Sequence, residues 1–113
     1  GMSIEVGKIL VPSGVTFCGS VGFFGNGLIS GLLRGSVFAQ GRLEIAEEGA
    51  VEGPVEAESL QVAGEILGDV FVTGILRVMA TGRIKGRITT ALLSLDDGGA
   101  IDGSCSIQSS EKI

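Results

Sequence analysis

A single-stranded parallel β-helix, or β-solenoid, of about six windings is the all-β fold that this sequence predicts, and three observations predict it. Glycines recur about every 17 residues, apolar residues stand two places to either side of each, and no segment keeps a 3.6-residue apolar spacing between helix caps. The glycines are Gly19, Gly35, Gly53, Gly68, Gly86 and Gly103, with separations of 16, 18, 15, 18 and 17. Self-similarity at a fixed period marks a repeat architecture. It also gives a reason for a composition in which 20 of 113 residues are Gly, about 18% against an average near 7%.

The flanking residues justify the strands. Two places before each glycine stand Phe17, Leu33, Val51, Ile66, Ile84 and Ile101; two places after stand Val21, Val37, Val55, Val70, Ile88 and Cys105. A spacing of two is the strand period, which sends such residues to one side of the chain. A second apolar pair occurs in most units: Ile9 with Val11, Leu43 with Ile45, Leu60 with Val62, Leu76 with Val78 and Leu93 with Leu95. Each unit therefore reads as short strand, turn, short strand, with a third stretch closing the lap. The turns fall at Pro12-Ser13-Gly14, Glu47-Glu48-Gly49, Ala80-Thr81-Gly82 and Asp97-Gly98-Gly99, where glycine supplies a bend at positive φ.

A 17-residue unit is too short for two helices, and a propeller blade needs 40 residues or more. Successive laps stacked in parallel place equivalent residues about 4.8 Å apart, so six laps make a rod roughly 29 Å long. An antiparallel β-sandwich with glycine turns is the alternative. In the stack Cys18 and Cys105 lie five steps apart, roughly 24 Å, beyond the reach of a disulfide. Cys105 then reads as a small core residue and Cys18 as outward-facing.

Composition narrows the chemistry. The chain has no His, Trp or Tyr, five Phe and a net charge of −5. Without histidine it lacks the commonest acid–base group and the commonest metal ligand. Without a basic footprint or a stacking platform, no nucleic-acid partner is expected. No catalytic, cofactor-binding or metal site is expected either. No apolar run approaches the 18 residues of a membrane span, and Gly1 to Glu5 lacks the layout of a signal peptide; a soluble, cytoplasmic protein is the expectation.

A stack of repeats leaves its two ends open unless polar caps close them. The sequence offers no such cap, so the candidate end-contact residues are Phe17, Val21 and Phe23 at one end and Ile101, Cys105 and Ile107 at the other. Between Lys8 and Arg42 only Arg34 is charged, and Phe24, Leu28 and Leu32 are the candidates for an exposed apolar patch. Charge is banded elsewhere: eight acidic residues and no basic one from Glu44 to Asp69, then Arg77, Arg83, Lys85 and Arg87 without an acid up to Thr90. Stacking should set Glu65 against Arg83, Asp69 against Arg87 and Lys85 against Asp102. Carboxylates able to serve a carbohydrate-active enzyme are confined to Asp96, Asp97 and Asp102 and to Glu47 with Glu48, all near turns or an edge where acids are ordinarily solvated.

The run Leu43-Glu44-Ile45-Ala46-Glu47-Glu48-Gly49-Ala50-Val51-Glu52-Gly53-Pro54-Val55, with Gly86-Arg87-Ile88-Thr89-Thr90 and Gly99-Ala100-Ile101-Asp102-Gly103-Ser104-Cys105-Ser106-Ile107, resembles the bactofilins. The likeness covers residues 9–107, leaving short tails at 1–8 and 108–113. It implies a right-handed β-helix that assembles end to end into filaments without nucleotide, a homopolymer with itself as partner. It also implies a place at the inner face of the cytoplasmic membrane, with the membrane surface or cell-wall enzymes as further partners in cell shape. A non-polymerising binding scaffold and a carbohydrate-active enzyme are the alternatives. Three departures accompany the likeness: short tails where many members carry flexible polar or Pro-rich ones, the greasy stretch from Phe23 to Leu33, and Ile101 where the family often has an aromatic.

Overall fold

The computed structural model describes residues 8–108, so all of the expected tail at 1–8 except Lys8, and all of that at 108–113 except Gln108, lie outside the described residues. Eleven strands follow one another: β1 (Lys8–Val11), β2 (Thr16–Cys18), β3 (Val21–Ile29), β4 (Leu32–Arg34), β5 (Val37–Ile45), β6 (Ala50–Glu52), β7 (Val55–Val62), β8 (Glu65–Leu67), β9 (Val70–Val78), β10 (Arg83–Leu95) and β11 (Ala100–Ile107). Every pairing is parallel and joins strands one lap apart. Long strands stack in the order β1-β3-β5-β7-β9-β10, short ones in the order β2-β4-β6-β8-β10, and β11 lies on β10. The fold is a β-solenoid of about six laps.

Register turns the repeat into columns. Leu33, Val51, Ile66 and Ile84 stand directly over one another, as do Val37, Val55, Val70 and Ile88. Two further columns, Leu43-Leu60-Leu76 and Ile29-Ile45-Val62-Val78, close the interior from the third side. None of these side chains is more than 2% exposed. Alternation within the strands puts mostly polar neighbours outside, with Phe38 and Phe71 among the exceptions, and the β-branched residues that dominate the columns pack well on a pleated surface.

The glycine column stands as the spacing predicts. All six glycines take φ between 141° and 152°, a backbone region that is essentially glycine's alone. A Cβ on Gly53 would run into the carbonyl oxygen of Gly35, and one on Gly35 into that of Gly19. The corner thus combines a forbidden φ with direct backbone contact between laps.

Two expectations are corrected. Gly14 and Gly98 do turn at positive φ, but Gly49 and Gly82 do not. Those two are glycine because a Cβ would strike the carbonyl oxygens of Ile29 and Val62 in the lap before. Ile9 does not share the interior with Val11: it is 59% exposed, while Leu10 packs against the core. A register shift between Ile9 and Val11 breaks the alternation in β1, so a spacing of two does not there mean a shared face.

The column Ala39-Ala57-Val72 continues into Thr90, the one buried polar side chain among the described residues. Its hydroxyl lies 2.9 Å from the Leu92 carbonyl oxygen and 3.2 Å from that of Gly74. The group tethers the irregular stretch where β10 and β9 change register between Thr90 and Leu92. Thr90→Val keeps the shape and loses the tether, and it should destabilise the fold by about 1 to 2 kcal/mol in urea unfolding.

Candidate functional site

Among the described residues, nothing stacks on the first half of β3 or on β2, because β1 reaches only Gly27 to Ile29. At the other end nothing stacks on β11 or on Leu92 to Leu95 of β10. Each end is therefore a step one row high. The carbonyl and amide groups along these rows form open sheet edges, which are templates for further strand pairing.

The six residues expected at the ends all lie on these steps. Phe17 heads the Leu33 column and is 40% exposed; Val21 heads the Val37 column and is half-buried. Phe23 tops Ala39 and packs against the core. Its ring reaches across the mouth of the column, since a Cβ on Gly27 would fall 2.5 Å from Phe23 Cζ and 2.8 Å from Leu10 Cδ1. Gly27 stands in the Leu43 column, so the missing side chain is the space that Phe23 and Leu10 fill. At the far end Ile101 is half-buried, and Cys105 and Ile107 are exposed. Cys105 does sit in an inward column, over Ile88, but it is not a buried core residue, because β11 is the last row. Both cysteines are free and exposed.

Residue counting missed part of each step. Leu93 and Leu95 top the Leu76 and Val78 columns, and Leu95 is 49% exposed. With Leu10, they belong to the end surfaces. The signal was available: the first strand begins half a lap before Gly19, so both ends had to be stepped rather than flat.

Phe24 is 81% exposed, whereas Leu28 and Leu32 are half-buried. Leu28 lies in a row with Ile9 and Glu44, and Leu32 in one with Thr16 and Ala50. No row joins the three.

Charges occupy the expected rows, but among the described residues the expected ion pairs do not form. Glu65 stands opposite Arg83, and Lys85 opposite Asp102. Asp69 Oδ1 accepts from the Arg87 backbone N–H at 3.1 Å, not from its guanidinium. The ion pairs formed among the described residues are Arg34 to Glu52 at 3.1 Å, Arg42 to Glu44 at 3.0 Å and Arg77 to Asp96 at 3.4 Å. All are on the surface, where an ion pair contributes about 0 to 1 kcal/mol. Asp96 is thus drawn to a guanidinium, while Asp97, Glu47 and Glu48 lie in exposed turns. Among the described residues no cluster of three or more His, Cys, Asp or Glu is placed to hold a metal ion.

The family model for bactofilins, described as polymer-forming cytoskeletal proteins, matches residues 9–106. The chain belongs to the bactofilin family. No curated protein and no solved structure matches it. The bactofilin match spans every lap of the solenoid, from Ile9 to Ser106. Among the described residues, no helix of this bactofilin is long and apolar enough to cross a membrane.

Proposed function

We propose that this protein builds filaments by stacking its solenoid end on end, each copy continuing the core of the last. The observation that carries this reading is the matched one-row step at the two ends, with apolar columns running out into Phe17, Val21 and Phe23 on one side and Ile101, Cys105 and Ile107 on the other. A second copy seated on either step pairs an open strand edge and covers exposed apolar side chains in one move. Both terms favour association. Stacking of this kind uses no nucleotide. The polymer would serve in the cytoplasm as a scaffold at the inner face of the membrane, carrying cell-shape or cell-wall proteins.

Purified protein at neutral pH without nucleotide should form thin unbranched filaments in negative stain, and its light scattering should rise steeply with concentration. Strictly monomeric protein at high concentration would contradict the proposal and favour a solitary binding scaffold.

A further inference from the structure

The outer surface carries a groove that end stacking does not use. Phe38, Glu56 and Phe71 stand in successive laps of one outward column, so the two rings are about 10 Å apart along the rod with a carboxylate between them. Both rings are 45% exposed. Beside them Pro54, Asp69 and Arg87 complete an open groove of about 400 Å³. Its floor is backbone already engaged between laps: Val37 N–H donates to Pro54 O at 3.0 Å and Val55 N–H to Asp69 O at 2.9 Å. No strand can add there, so whatever binds must be read through side chains.

Charge selects the occupant. Glu56 forms no ion pair among the described residues, although three of their arginines do. A carboxylate flanked by two aromatic rings suits a cation that can bond the oxygens and lie against the rings together. Guanidinium does this better than ammonium, because its planar fork meets a carboxylate bidentately and it stacks on aromatic faces. Asp69 spends one oxygen on the Arg87 backbone. The Arg87 guanidinium at that end of the groove makes no ion pair among the described residues and repels a second positive charge. We infer that this groove binds an extended segment of a partner protein through a single arginine side chain seated on Glu56 between Phe38 and Phe71, with neutral or acidic residues beside it. If the rod polymerises, the groove recurs once per subunit and gives such a partner many seats in line.

Saturation-transfer difference NMR suits the test, since it reads weak ligands on monomer and filament alike. The probe is the capped tetrapeptide Ser-Arg-Ser-Ser, compared with the same peptide carrying citrulline or glutamate in place of arginine. Transfer should concentrate on the arginine side-chain methylenes. It should drop about fivefold for Glu56→Gln, for Phe38→Ala and for Phe71→Ala, and by a similar factor for the citrulline peptide. All three substituted residues face outward, and unchanged circular dichroism would show that the variants fold. Equal transfer to the glutamate peptide, or an arginine signal indifferent to Glu56→Gln and to both alanine variants, overturns the assignment. So does Glu56-dependent flotation on phosphatidylcholine vesicles without any peptide signal, which would make the cation a lipid headgroup.

Discussion

Alanine at Gly53 is expected to destabilise the solenoid by about 3 kcal/mol or more. Two penalties coincide there. The residue sits at φ 145°, where an L side chain strains the backbone by about 1 to 3 kcal/mol. The new Cβ would also overlap the carbonyl oxygen of Gly35, and a backbone oxygen held in a parallel ladder cannot rotate away as a side chain does. Relief requires prising two laps apart, which loosens the columns beneath. Gly14 separates the two terms: it turns at φ 82° with nothing within 4 Å of a Cβ. Gly14→Ala should therefore lose only about 1 kcal/mol. Urea unfolding followed by circular dichroism measures both. Equal, small losses would mean that the corner is not held by backbone contact between laps.

The second large effect concerns the ends. Phe17→Arg and Ile101→Arg each place a charge where stacking would bury it, and an unpaired charge at such a contact costs about 4 kcal/mol. That weakens the contact about a thousandfold. Mean length in simple linear polymerisation follows the square root of the association constant, so filaments should shorten about thirtyfold or vanish. Folding should survive, because Phe17 is 40% exposed and Ile101 half-buried in the single chain. Mixing the two variants also reports orientation. If unlike ends meet, each variant alone stays monomeric and the mixture gives dimers; if like ends meet, each variant alone gives dimers. Filaments of undiminished length in both variants would place the contact elsewhere on the rod.

Much of this architecture could be read from the chain because each lap repeats one physical demand. A corner that only glycine can occupy, between two inward side chains, writes the same three-position pattern six times, from Phe17-Gly19-Val21 to Ile101-Gly103-Cys105. Where the demand changes, the pattern misleads. Ile9 and Val11 keep a spacing of two across a register shift and face opposite ways. Gly49 and Gly82 look like turn glycines but are small because the lap below is close. Ion pairs were harder to foresee: rows fix which Cα atoms are neighbours, but long side chains settle their own partners in solvent, as Arg42 shows by pairing with Glu44 of its own strand.

The groove was within reach of the same register. Phe38, Glu56, Phe71 and Thr89 each lie three places after a corner glycine, and laps of unequal length hide that alignment unless counting restarts at every corner. The half-lap offset of β1 hid the steps in the same way. Leu95 repeats the Val78 position and reads as interior until the absence of a seventh row above it, among the described residues, is taken into account.

Diffraction from aligned filaments tests the central claim most directly. If copies stack end on end, the inter-strand spacing of about 4.8 Å must lie along the filament axis, with a subunit repeat near 29 Å or twice that if alternate copies reverse. A strand spacing perpendicular to the axis would mean that the rods join side by side, and the account of the open ends would be wrong.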